Sequence, residues 1–264
     1  MPARHVTESE SVLQISTGHH VSAGGPEYAR EKVGRALAFA PAPVLSARVR
    51  LSGHRDPAVR NPIVAQANVH MAGRTVRVQV AAPTTRAAVD LLEARLETRF
   101  ERLARHWEAV RGRFPAAGPH EWRRGTPPRS ALPYFPRVTE QREVVRHKAY
   151  ALAEETCEEA AFDMELLDYD FHLFTESGSG IDSVLYRESG GYRLAQLESR
   201  PEAVLRGSVP FTISPAAAPV TTVAGAIERL ELTGWPFVFF RDGDRGRVLY
   251  HRYDGHYGLL TPAA

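Results

Sequence analysis

Residues 171–194 read FHLFTESGSGIDSVLYRESGGYRL, and residues 237–259 read FVFFRDGDRGRVLYHRYDGHYGL. The two stretches say the same thing twice. Phe171-His172-Leu173-Phe174 answers Phe237-Val238-Phe239-Phe240. Val184-Leu185-Tyr186 answers Val248-Leu249-Tyr250, and Gly190-Gly191-Tyr192-Arg193-Leu194 answers Gly255-His256-Tyr257-Gly258-Leu259 in the form G-x-Y-x-L. Matched blocks in one order at nearly one spacing mark an internal repeat, which has to be found before a fold is assigned. Ahead of each set lies a helical stretch (Glu155–Leu167, Val223–Leu232), and ahead of that a candidate strand (Glu143–Tyr150, Val209–Ile213). Each copy is therefore expected to be a β-α-β-β-β module of about 55 residues, spanning 142–200 and 208–264. A module that small buries too little surface to stand alone. The expectation is an intrachain pseudo-dimer joined through Phe171, Leu173, Val184 and Tyr186 of copy 1 and Phe237, Phe239, Val248 and Tyr250 of copy 2.

Upstream, the pattern changes. LQISTGH (13–19) alternates as a strand, and Pro26–Ala40 reads as a helix with proline in its first turn and Pro41 and Pro43 closing it. Val44–Leu51, Ile63–Met71 and the run Val76, Val78, Val80 alternate with period two, the middle pair joined by Ala72-Gly73-Arg74. Thr85–Val110 is the longest helix. The order β-α-β-β-β-α over 1–111 implies a four-stranded sheet with two helices on one face, so the chain as a whole is of the α+β class. Residues 112–141 hold six prolines and no sustained periodicity and read as a linker.

The formal net charge of +2 conceals an asymmetry. Residues 1–111 hold 16 Arg and Lys against 10 Asp and Glu, 112–141 hold 5 against 2, and 142–264 hold 12 against 19. A basic front on an acidic back suits a polyanionic partner for the front alone, and uneven but solvated charge fits equally well. The long helix sharpens the choice. At about 100° per residue, Arg95, Arg99, Arg102 and His106 share one arc. Val89, Leu92, Leu96, Phe100, Leu103 and Trp107 share a second, and Asp90, Glu93, Glu97, Glu101 and Glu108 a third. Charges placed for solubility would alternate in sign at i,i+4. Sorting them by sign forgoes those pairs and favours a phosphate backbone, with a solvated face as the competing reading. Lys32 and Arg35 share a face of the first helix and are expected to join the Arg95 stripe in one basic ridge. Arg113, Arg123, Arg124 and Arg129 of the linker are candidate RNA contacts, or ordinary solvated charge.

Catalytic patterns are poor. His19-His20 has no acidic or cysteine ligand at metal spacing, so no metal and no cofactor are expected. Asp168 and Asp170 offer a cation pair that copy 2, with Gly234 and Pro236, does not repeat. Glu176-Ser177-Gly178-Ser179-Gly180 lacks the lysine and helix of a phosphate loop and reads as a hairpin turn. Cys157, the only cysteine, lies beside Glu155, Glu158 and Glu159, which raise a thiol pKa, so an inert helix residue is expected. With one cysteine, no apolar leader and no run of about 20 apolar residues, a cytoplasmic protein without membrane or small-molecule partner is the expectation.

With these residues in view, the sequence resembles the long-form hibernation-promoting factors. The resemblance rests on Ala87–Glu97 (AAVDLLEARLE) in the front half and, more specifically, on Val144–Lys148 (VVRHK), Leu167–Phe174 (LDYDFHLF) and Ser183–Arg187 (SVLYR). It implies a non-enzymatic, ribosome-binding protein. The implied contacts are small-subunit rRNA in the mRNA and tRNA channel, through Lys32, Arg35, Arg95 and Arg102, together with ribosomal proteins. Ala38 and Thr98 stand where members often carry a basic residue. The variant second copy is similar to the dormancy-linked branch called ribosome-associated factor under hypoxia. Members with one C-terminal domain pair it with that of another chain. Here both partners lie in one chain, so a monomer resting single ribosomes is expected. The alternative is a general structured-RNA or single-strand RNA-binding stress protein.

Overall fold

The computed structural model describes residues 12–54, 59–72, 74–110, 137–188 and 191–263, with side chains of 106–110 left aside. The chain divides into two compact units, residues 1–130 with 166–168, and residues 131–165 with 169–264.

In the first unit the elements are β1 (Leu13–Thr17), α1 (Gly25–Leu37), β2 (Val44–Gly53), β3 (Ile63–Met71), β4 (Arg74–Ala82) and α2 (Thr85–Val110). The sheet runs β1-β2-β3-β4. β1 lies parallel to β2, with Ile15 opposite Val49, and the remaining pairs are antiparallel. Alternation decides the faces: Ala47, Val49 and Leu51 are buried while Arg48 and Arg50 are exposed. Both helices cover the same face. α1 buries Ala29, Val33 and Ala36, and α2 buries Val89, Leu92, Leu96, Phe100 and Leu103, the apolar arc read from the wheel. α1 stops at Leu37, three residues before the expected end, because Ala38, Phe39 and Ala40 turn tightly onto the carbonyls of Arg35, Ala36 and Leu37 ahead of Pro41.

In the second unit the elements are β5 (Val144–Tyr150), β6 (Glu154–Glu155), α3 (Cys157–Leu166), β7 (Phe171–Glu176), β8 (Ile181–Glu188), β9 (Gly191–Gln196), β10 (Phe211–Ile213), α4 (Val223–Thr233), β11 (Phe237–Asp242), β12 (Arg245–His251) and β13 (Tyr257–Pro262). One sheet runs β10-β9-β8-β7-β6 and the other β11-β12-β13-β5. The leading strands are exchanged. β5, from copy 1, lies parallel to β13 of copy 2, with Leu259 opposite His147. β10, from copy 2, lies parallel to β9 of copy 1, with Thr212 opposite Arg193. Neither module completes its sheet from its own sequence, a feature the periodicity did not reveal. The two-residue β6 is too short to show any alternation in the sequence.

One face of the second sheet packs under α4, where Ala226 and Leu230 meet Val238, Phe240, Leu249, Tyr257 and Leu259. The copy 1 residues at the same repeat positions, Phe174, Leu185, Tyr192 and Leu194, are buried as well. The opposite faces of the two sheets meet each other, with Leu173, Val184 and Leu197 against Phe239 and Val248. The architecture is thus α+β throughout, with the repeat paired on itself inside one chain.

Candidate functional site

The inter-sheet contact assembles all eight residues singled out for it. Phe171 and Phe237, equivalent by the repeat, have ring centroids 4.7 Å apart. Phe171 meets Tyr250 at 5.6 Å and Phe237 meets Tyr186 at 5.4 Å, two contacts that exchange under the repeat. This reciprocity is the mark of an isologous interface, here within a single chain. Each G-x-Y-x-L tyrosine instead turns to its helix: Tyr192 donates to Glu165 at 2.9 Å, and Tyr257 donates to Glu231. The glutamates are equivalent, but their arginines are not. Arg187 pairs with Glu165, whereas Glu231 is held by Arg142, at 2.6 and 2.8 Å, from just ahead of β5.

The basic residues of the first unit fall into two groups, not one ridge. Lys32 Nζ lies 2.7 Å from Glu93 and 3.3 Å from Asp90, and Arg35 lies 3.5 Å from Glu93. α1 therefore turns its cations toward the acidic arc of α2, where unlike charges attract across the helix pair. Tyr28 adds a 2.6 Å hydrogen bond to Asp90. That bond, with Lys32 alongside, holds the Asp90 carboxyl below its ordinary range, and the bond to Glu93 raises Lys32. Arg95 sits elsewhere on α2, toward β4, donating to the Gln79 carbonyl at 3.3 Å. Arg99 and Arg102 are buried, and the Arg99 guanidinium lies 3.2 Å from the carboxylate of Asp168. His106 and the linker arginines Arg113, Arg123, Arg124 and Arg129 lie outside the described side chains.

Other candidates resolve into structure. Asp168 serves Arg99 and the Gln79 amide, at 3.2 and 3.0 Å. No cluster of three His, Cys, Asp or Glu suited to a metal occurs among the described residues. The loop after Glu176 is a hairpin turn whose amides, Gly178 and Ser179, donate back to the Glu176 carboxylate. Cys157 is buried, and its thiol is pushed up to about 12 by burial first and then by Glu176, not by its helix neighbours. Among the described residues no helix is long and apolar enough to cross a membrane.

The repeat is also seen by comparison with known proteins. The family described as "Sigma 54 modulation/S30EA ribosomal protein C terminus" matches twice, over residues 139–194 and 215–259. The "Dormancy associated translation inhibitor" of Mycobacterium tuberculosis, in strains CDC 1551 and H37Rv, is 34% identical over 98% of this chain and 90% of its own. The chain belongs to the long-form hibernation-promoting factor family. Two solved structures also align, each over 34% of this chain and 94% of its own at a TM-score of 0.28. They are a ribosomal subunit interface protein from Coxiella burnetii, 18% identical, and the N-terminal domain of Thermus thermophilus Protein Y, 24% identical. Within the family, the two separate matches follow the two sequence copies and not the two sheets: the first includes β5, which pairs in the second sheet, and the exchanged strand β10 lies between them.

Proposed function

We propose that this hibernation factor binds the ribosome through its basic front unit, silences translation, and rests ribosomes singly. The observation that carries the reading is the closed pairing of copy 1 on copy 2. The face that a one-copy chain would offer to another chain is already covered by Phe237, Phe239, Val248 and Tyr250. Mycobacterial relatives named for translation inhibition support the silencing half of the proposal. The target within the ribosome is small-subunit rRNA along the mRNA and tRNA channel. The contact set is Arg95 and His106 on α2, with Lys32 and Arg35 as a second group on α1; Arg99 and Arg102, expected in the same set, are buried and lend their charge from beneath the surface. Such contacts position a protein on RNA without reading its sequence.

Sucrose-gradient sedimentation of purified ribosomes with the protein tests partner and stoichiometry together. The expected result is co-sedimentation with single ribosomes and no paired-ribosome peak; a paired peak on addition of the protein would sink the proposal. Arg99 is buried against Asp168; Arg95, also 3.7 Å from that carboxylate, and Arg35 keep side chains 23% and 56% exposed, so these are the positions to reverse. Arg95→Glu with Arg35→Glu is expected to weaken ribosome binding and lower its salt slope by about one for every phosphate no longer neutralised. Equal weakening of binding to unrelated folded RNA would point to a general RNA-binding protein.

A further inference from the structure

The repeat places Asp182 of copy 1 and Gly246 of copy 2 at the same position, two residues ahead of Val184 and Val248. In the folded chain these two positions meet. The Asp182 carboxylate, in a residue only 8% exposed, accepts the Gly246 amide at 3.0 Å, Arg245 Nε at 2.8 Å and Arg245 Nη2 at 3.3 Å. Gly246 is required for the fit, since a Cβ there would come within 2.6 Å of the Phe239 ring. Phe239 is itself the larger counterpart of Leu173. At its centre, then, the interface is not symmetric. One side offers a carboxylate beside a leucine, and the other offers an arginine and a bare glycine beneath a phenylalanine.

We propose that Asp182, Arg245 and Gly246 form a pairing rule that admits copy 2 of the same chain and rejects copy 1 of a second chain. The two ways of pairing differ in what faces Asp182. Pairing copy 1 with copy 2 gives the carboxylate an arginine and an amide. Pairing copy 1 with copy 1 puts a second Asp182 where Gly246 stands and Ile181 where Arg245 stands. Two carboxylates then face each other in a nearly closed site with no cation between them, which is strongly unfavourable. Pairing copy 2 with copy 2 leaves two arginines without a carboxylate. The charge that secures the right partner therefore repels the wrong one. This deepens the single-ribosome reading above and rests on it for its biological meaning. Tethering favours the intrachain pair by proximity, and the asymmetric centre adds discrimination that survives when many chains crowd one surface.

The wrong pairing can be built inside the full chain. Gly246→Asp sets a second carboxylate against Asp182, and Gly246→Asn supplies the same bulk without the charge. At about pH 7 the aspartate variant is expected to melt about 4 °C or more below the asparagine variant. Coincident melts at neutral pH overturn the proposal. If either glycine variant fails to fold, Arg245→Glu against Arg245→Gln reads the same charge at a side chain 46% exposed, again with the acidic variant expected lower and coincidence overturning the rule. The gradient experiment separates the two claims. Paired ribosomes alongside a clear melting gap defeat single-ribosome resting and leave the pairing rule standing, and coincident melts with single ribosomes do the reverse.

Discussion

Asp168 and Gly234 occupy one backbone position in the two copies, just past the helix, with φ of 54° and 64°. A left-handed residue is a common way to end a helix, and glycine adopts it without steric penalty. Gly234 donates its amide to the Leu230 carbonyl. The Asp-to-Gly difference between the copies, read in the sequence as the loss of a cation pair, is instead the repetition of a helix stop. A Cβ at Gly234 would touch nothing within 4 Å, so the penalty of replacing it is conformational alone. Gly234→Ala is expected to destabilise the second unit by about 1 kcal/mol, with Gly234→Asn costing less, as urea titration of both variants will show. The G-x-Y-x-L motif was legible as a repeat and as packing. Its tyrosine hydroxyls meeting Glu165 and Glu231 were not, because the partner glutamates lie 26 or 27 residues away on another element.

Among elements, periodicity identifies strands but is silent about their neighbours. β5 and β10 were both recognisable as strands, and the natural assumption gave each to its own module. Their exchange follows from parallel pairing, which needs a long connection and is reached as readily from the other copy. The same limit applied to α1, whose cations were placed on a helix face correctly but on the wrong side of α2. Sorting of charge along α2 was visible; which stripe faced α1 was not. The exchanged strand β5 is fastened by the Arg142–Glu231 pair beside Tyr257. Burial opposes the charged form of Glu231, but hydrogen bonds from Tyr257 and Arg142 outweigh it and hold the carboxyl below its ordinary range. A depressed carboxyl pKa contributes stability that is present above the unfolded value, near pH 4.3, and is lost as pH falls through the folded value. The second unit should therefore lose stability below about pH 4 in part through this group. Glu231→Gln is expected to be less stable than wild type at neutral pH and to show a flatter acid limb in pH-dependent melting.

For the whole molecule, the repeat was enough to foretell a pseudo-dimer and the residues at its centre, because those residues recur and recurrent apolar side chains on a strand need a partner surface. The aromatic quartet of Phe171, Tyr186, Phe237 and Tyr250 carries that surface. Phe171→Ala with Phe237→Ala is expected to lower the stability of the second unit by several kcal/mol, on the order of 3 per ring at most given their partial burial. It should also produce concentration-dependent association by light scattering as the inner faces open, while the first unit keeps its own melting transition.

The exchanged strands also set a timetable for synthesis. β5 leaves the ribosome early, yet its sheet neighbour β13 follows more than a hundred residues later, with Val144 opposite Tyr257. Copy 1 likewise waits for β10 before its sheet has both edges. A chain emerging at about 5–20 residues per second therefore spends many seconds with β5 unpaired. During that interval the half-made second unit presents the open strand and apolar face that the finished protein hides. The chain is thus most exposed to its own neighbours on a polysome while it is being translated, and slower elongation lengthens that exposure.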